Sequence, residues 1–384
     1  MNFGLSEEQE LLRDTARDAL ERLDTIASAR EALDGVDLLD SWSTAAEAGW
    51  AGLVIDEEHG GAGLGVFDAM LVHEELGRRL TGTGLLGHVT ATGLLNAAAQ
   101  DERVATILPA LAAGERRAAM TLARPPRDDD EGWTLDAPVP GGGRASLPAA
   151  DAGGALSGTV ALHPELPGAD VVVVVATGPS GRVGAYLVDT AAPGVQITEV
   201  VHGDATRPLG TLELRQAAST PLQADEGDLA RAWYTGQALL AAEALGVCQA
   251  TLDLGVAYAK ERHAFGRPIG SYQAVKHQLV EILRRIDLTR NLCFFAGYAA
   301  DSSPGEFALA ASSARFAGEQ GADYATRTCI AVHGGIGSTW EHDAPLFWRR
   351  AQLSRRLLGG VEDAGDRVAG EIITTARDRV AAAA

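Results

Sequence analysis

Apolar positions after residue 238 fall at Leu239, Ala242, Leu245, Cys248 and Leu252, spaced by three and four. That period places them on one face of a helix. Three or four long helices of this kind fill the chain after Asp225, which predicts a helical bundle. At the other end, Ser6 and Gln9 have capping-box spacing, in which hydroxyl and amide satisfy the free backbone amides of a first turn. One helix is predicted there, from about Glu7 to Leu33. Further helical segments flank a glycine-punctuated loop, His59 to Gly65, and continue to about Ala113.

From Ala118 the period shortens. VVVVVA, VGAYLVD and VQITEVV are short β-rich runs separated by turn signals such as GPSG and APG, which predicts a compact antiparallel unit. PPRDDDEG and PVPGGGR read as loops, and Gly141 to Gly143 as a flexible turn rather than a phosphate loop, since neither GxGxxG nor GKS accompanies them. The fold class is therefore α+β: an N-terminal helical domain (1–115), a central antiparallel β domain (116–224) and a C-terminal four-helix bundle (225–384).

Composition narrows the partners. The formal charge of −20 lacks the basic footprint that nucleic acids and anionic membranes require, so an anionic ligand needs local cations. No run approaches about 18 uninterrupted apolar residues, and the N-terminus turns acidic at once, so we expect neither a membrane span nor a signal peptide, and a cytoplasmic location. Cys248, Cys293 and Cys329 lie far apart in apolar helical surroundings, as reduced core thiols do.

Two segments have the residue types of a binding site. AVHGGIGSTWEHD, Ala331 to Asp343, combines three glycines with His333, Glu341, His342 and Asp343. The last three are consecutive and cannot converge on one ion from a regular element, and no HExxH spacing exists, so no metal site is expected. Gly334, Gly335 and Gly337 instead allow backbone to approach a ligand closely. In ERHAFGRPIGSYQAVKH, Glu261 to His277, Arg262 can pair with a diphosphate, Phe265 can cover an aromatic ring and Gln273 can hydrogen-bond a nucleotide. An ordinary helix–turn–helix with solvated charges accounts for this segment equally well.

Together with AGWAGLVIDEEHGGAGLG and EELGRRL, and in this order around a β-rich middle, these segments resemble the acyl-CoA dehydrogenase family over nearly the whole chain. The resemblance implies a tetramer with FAD between subunits, an acyl-CoA substrate and electron-transfer flavoprotein as acceptor. It implies that Arg262, Phe265, Gln273, Gly334 and Gly335 contact an FAD held mainly by a neighbouring subunit. In the family reaction a glutamate removes the α-proton of the thioester while the β-hydrogen leaves as hydride to the flavin. Such a base is worth roughly 10²–10⁴-fold in rate.

The resemblance offers two places for that glutamate. One falls at Leu358, followed by Gly359 and Gly360; the other at Gly236 beside Gln237; none of these side chains accepts a proton. Other departures cluster on the side implied to hold this chain's own flavin. LARPPRDDDEG follows Thr121 in place of an acidic, glycine- and serine-rich run, Leu162 and Pro164 replace an aromatic residue and a threonine, and Ala331 replaces a glutamine. The pattern resembles the heteromeric acyl-CoA dehydrogenases of steroid side-chain degradation, in which a catalytic chain pairs with one lacking the base. The expectation is a partner subunit with no catalytic residue of its own, completing a homologous subunit's FAD site. Two other readings stand: a self-sufficient enzyme, as a homo-oligomer, with Glu243 as relocated base, and a flavin-free scaffold.

Overall fold

The Ser6 side chain accepts the backbone N–H of Gln9 at 3.2 Å, and the Gln9 side chain accepts the N–H of Ser6 at 3.1 Å, closing the capping box. The computed structural model describes residues 4–127, 131–135 and 144–383. The helix so started, α1 (Glu7–Glu21), ends earlier than the apolar spacing implies, and α2 (Thr25–Leu33) starts anew after a break. Asp24, just before Thr25, is a residue type that opens helices. The single helix expected over 7–33 is therefore two. Next come α3 (Trp42–Glu47), α4 (Val66–Arg78), α5 (Leu85–Ala97) and α6 (Glu102–Ala112).

The strands are β1 (Ala118–Thr121), β2 (Ala123–Arg124), β3 (Thr134–Leu135), β4 (Ala149–Ala150), β5 (Leu156–Pro164), β6 (Val171–Thr177), β7 (Val183–Asp189), β8 (Val195–Val200), β9 (Leu209–Ala217) and β10 (Thr220–Pro221). Their main sheet runs β10-β7-β6-β4-β5-β9-β8, with β1 added to β6. The sheet is not wholly antiparallel as expected, because β1 and β4 both pair with β6 in parallel. Val171 to Ala176 are all buried, which is why β6 reads as an unbroken apolar run rather than an alternating one. The triglycine at 141–143 lies outside the described residues.

Then follow α7 (Glu226–Glu261), the two-residue strands β11 (His263–Ala264) and β12 (Arg267–Pro268), α8 (Gln273–Ser302), α9 (Pro304–His333), α10 (Ala344–Ser354) and α11 (Gly360–Ala383). By length and composition α7 is apolar enough to cross a membrane, yet 72% of its most apolar window is buried inside the protein. It is a core helix. The architecture is an N-terminal helical domain, a central curled sheet and a C-terminal helical domain.

Two compact units divide the chain. One comprises Met1–Ile26, Met70–Leu80 and Gln237–Ala384; the other comprises Ala27–Ala69 and Thr81–Gly236. In the first, α4 and α7 cross backbone to backbone: a Cβ on Gly246 would lie 1.9 Å from the Glu74 carbonyl oxygen. Buried ion pairs tie the same unit together, Arg350 to Glu243 at 2.8 Å and Arg315 to Glu319. Arg315 also donates to the carbonyls of Ser354 and Leu357, closing the C-terminal end of α10.

In the second unit, buried histidines hold loop to strand. His88 Nδ1 accepts the N–H of Ala118 at 3.0 Å while Nε2 donates to the Ala51 carbonyl at 3.1 Å. Burial lowers the pKa of His88 to about 4, so the ring is neutral.

Candidate functional site

After Arg262, whose N–H donates to the Tyr258 carbonyl at 2.9 Å, the chain does not pass directly from helix to helix. It forms a tight hairpin, β11 pairing with β12, whose turn residues Phe265 and Gly266 have φ of 52° and 81°. Positive φ at both central positions matches a type I′ turn. For phenylalanine that conformation costs on the order of 1 kcal/mol, and the ring is 97% exposed. The hairpin is braced from below: Tyr272 donates its hydroxyl to the Ala264 carbonyl at 3.0 Å, and the Arg267 guanidinium lies 4.1 Å over the Tyr272 ring. Gln273 is the exposed first residue of α8. An exposed aromatic ring on a strained, braced turn is placed to meet a surface outside this chain.

The glycine-rich stretch is a single 3₁₀ turn, Gly334–Ser338, between α9 and α10. Gly334 has φ 64° and ψ −138°, a combination essentially confined to glycine. Gly334 and Gly335 are exposed, with open space where a Cβ would be. On the inner side the turn rests on His333, which is buried and touches two rings, Tyr258 of α7 at 4.4 Å and His342 at 4.2 Å between centroids. The hairpin and the glycine turn are thus linked through Tyr258 and His333. Beside Ala331 opens a cleft of about 710 Å³, whose polar wall includes Arg285, Asp323, Arg327 and Arg355. Asp323 accepts from Gln352 at 2.6 Å and Arg327 at 2.8 Å, and lies 3.2 Å from Arg355. The exposed Arg262, the half-buried Arg285 and Arg355 and the unobstructed glycine backbone are of the residue types that fit the diphosphate and aromatic parts of a dinucleotide.

Gln237, the neighbour of one place suggested for a base, bonds the backbone of the other, Leu358. Gln237 donates through Nε2 to the Leu358 carbonyl at 3.3 Å, and its Oε1 accepts the Ser312 hydroxyl at 3.1 Å. All three residues are buried. Leu358, Gly359 and Gly360 have φ of 51°, 78° and 69°, so the backbone turns sharply with an aliphatic side chain at its start. Glu243 is buried in its ion pair with Arg350. The guanidinium occupies the carboxylate that the relocated-base reading requires.

Within the second unit, the segments that resemblance placed against a flavin ring bind one another. His163 Nε2 accepts the Leu122 N–H at 3.0 Å, and Nδ1 donates to the Pro164 carbonyl at 3.1 Å. Burial lowers the His163 pKa to about 4, so this neutral arrangement holds at ordinary pH. Leu162 and Glu165 stand at φ 53° and 61° on either side of this link, and Glu165 accepts Arg207 and the N–H of Gly87, each at 2.7 Å. A backbone donor already bonded internally does not fit a cofactor edge. The contributions of Tyr258, His333, His342 and His163 were not foreseen. His333 and His342 were both visible in sequence, but their contact with each other and with Tyr258 was not.

The chain belongs to the acyl-CoA dehydrogenase family: residues 6–115 match "Acyl-CoA dehydrogenase, N-terminal domain" and residues 232–372 match "Acyl-CoA dehydrogenase, C-terminal domain". Members of the family are FAD-dependent oxidoreductases acting on CH–CH bonds. Acyl-CoA dehydrogenase IpdE2 of Mycolicibacterium smegmatis is 31% identical over 372 residues, covering 96% of this chain and 100% of that protein. Acyl-CoA dehydrogenase FadE34 of Mycobacterium tuberculosis is 34% identical over 359 residues, covering 92% of this chain; this chain spans only 45% of its length. Among solved structures, the Tcur3481-Tcur3483 steroid ACAD, in a glycine-to-alanine variant, superposes with TM-score 0.81 at 28% identity, covering 97% of this chain and 99% of that one. The ChsE4-ChsE5 complex from Mycobacterium tuberculosis shares the fold, with TM-score 0.84 at 24% identity over 97% of this chain and 99% of its own.

Proposed function

We propose that this chain is a subunit of a heteromeric acyl-CoA dehydrogenase that carries no catalytic glutamate and completes the FAD site of a homologous partner. The observation that carries the reading is the junction of Gln237 and Leu358. One expected base position, Leu358, carries a hydrocarbon and its backbone is bonded by the amide of Gln237, while the other, Gly236, has no side chain. Glu319 is held by Arg315, and Glu243 by Arg350. The Leu122–His163 bond supports the same division, because it closes the segments implied to face a flavin ring of this chain's own.

When bound, FAD supplies the hydride acceptor. This chain's part is to present Arg262, Phe265, Gln273, Gly334 and Gly335 to the cofactor's diphosphate and adenine end, with the proton-abstracting carboxylate on the partner. An acyl-CoA substrate, tetrameric assembly, a place in lipid metabolism, electron-transfer flavoprotein as acceptor and a cytoplasmic location complete the proposal. The two-chain name of the Tcur3481-Tcur3483 steroid ACAD supports a heteromer.

The test is co-expression with a homologous dehydrogenase chain that retains its glutamate. Co-purification as a yellow complex that turns over an acyl-CoA is the expected result, with this chain alone colourless and inactive. Full FAD occupancy and turnover by the isolated chain would overturn the reading, as would a colourless complex, which would leave a scaffold.

A further inference from the structure

His333 ends α9 and Gly334 begins the exposed turn, so the His333 ring is the floor on which that turn is built. Gly337 packs against the floor: a Cβ there would lie 2.7 Å from the His333 Cβ. His333 Nδ1 donates to the Cys329 carbonyl at 2.7 Å, which fixes the ring on its own helix. Its neighbour His342 is fixed differently. His342 Nδ1 accepts the N–H of Ala344 at 3.0 Å, the first residue of α10, and Thr339 between them donates its hydroxyl to the Ile336 carbonyl at 2.9 Å. The turn is therefore held at both ends by imidazoles that touch each other, and through Tyr258 it is registered to the hairpin carrying Arg262 and Phe265.

We propose that Tyr258, His333 and His342 are positioning residues that hold the glycine turn and the Phe265 hairpin in one arrangement for the partner's FAD, and that His342 makes this arrangement dependent on pH. This rests on the preceding reading of the two segments as cofactor-facing. Neutral His342 accepts from Ala344; a protonated ring has no lone pair at Nδ1 and must release that N–H. Protonation also sets a cation 4.2 Å from the His333 ring. The other groups facing the pair do not take up this role. Cys329, whose Sγ lies 3.7 Å from His333 Nδ1, has its thiol pKa pushed up to about 12 by burial, and Tyr258 presents a phenol. Asp343, adjacent to His342 and close enough to act on the Cys329 thiol, is the neighbouring carboxylate. Glu341 precedes His342 in the chain.

Two measurements test the proposal. In the isolated chain, amide hydrogen-exchange protection at Ala344 and across Gly334–Ser338, relative to the intrinsic rate at each pH, should fall as pH drops through the range in which imidazoles titrate. In the complex with the partner, FAD release followed by flavin fluorescence should quicken at least tenfold over the same range. His342→Asn keeps an acceptor at the Nδ1 position without a titrating ring, and should abolish both pH steps while keeping FAD bound. His342→Phe keeps the ring contact without the acceptor, and should release FAD quickly at every pH. A pH step surviving in His342→Asn, or a His342→Phe complex that holds FAD like the wild type, would overturn the proposal. If Gly334→Val and Phe265→Ala also leave FAD release unchanged, the error lies in reading these segments as cofactor-facing; if they speed it, the error lies in the stack.

Discussion

Acidification should destabilise the sheet-containing unit by a calculable amount. His88 and His163 are fully enclosed, and burial lowers both pKa values to about 4, against about 6.5 for a free imidazole. Between these values the unfolded chain binds protons that the folded chain refuses, so stability is complete above pH 6.5 and falls as pH drops toward 4. At pH 5 the unfolded imidazoles are almost all charged and the folded ones almost all neutral, which amounts to about 2 kcal/mol for each ring, or about 4 kcal/mol together. Domains are typically stable by about 5–15 kcal/mol, so such a loss is readily measured. The assay is urea unfolding at pH 7 and pH 5 for the wild type and for His88→Asn/His163→Gln. These side chains keep acceptors for the N–H groups of Ala118 and Leu122 but do not titrate. Every other titrating group is common to both proteins, so the difference between their pH responses isolates the two rings. A difference below about 1 kcal/mol would refute the argument.

Phe265→Ala should leave the stability of the chain within about 0.5 kcal/mol, because the ring is 97% exposed, while FAD release from the complex quickens at least tenfold; thermal melting and flavin fluorescence separate the two. Glu319→Gln should cost about 3–5 kcal/mol in urea unfolding by leaving a buried guanidinium without its carboxylate. Arg315→Met should cost more, since it also strips the Ser354 and Leu357 carbonyls of their donor. Burial raises the thiol pKa of Cys248 and Cys329 to about 12 and raises that of Cys293 as well, so iodoacetamide should label the native chain at least a hundredfold more slowly than the urea-unfolded one, on the order expected for buried thiols.

Local rules carried the sequence reading where structure is decided locally. Ser6 and Gln9 meet three residues apart, and Leu239, Ala242, Leu245, Cys248 and Leu252 share one buried face, because helix geometry fixes such neighbours. Where pairing is distant, the pattern was silent. Nothing in Ala118–Thr121 specifies a parallel partner at Val171–Val174, and nothing in Leu122 indicates that His163 will accept a hydrogen bond from its N–H. The break after Glu21 was lost because apolar spacing continued through it, although Asp24 signalled a new start. At the candidate site the sequence named residues but not their shape. The strained Phe265 hairpin and the meeting of Gln237 with Leu358 depend on how α7 lies against the helices that follow it.

That long helix also sets the terms on which the protein can be made. At 36 residues α7 is a rod roughly 54 Å long, and α8, α9 and α10, which pack against it, are all encoded after it. A ribosome that has just released α7 needs on the order of ten seconds to reach the end of α11, and during that interval the faces of α7 that α4 does not cover stand bare. Nascent chains stalled there should be captured by holdase chaperones, and polypeptides truncated after Glu261 should accumulate as aggregates.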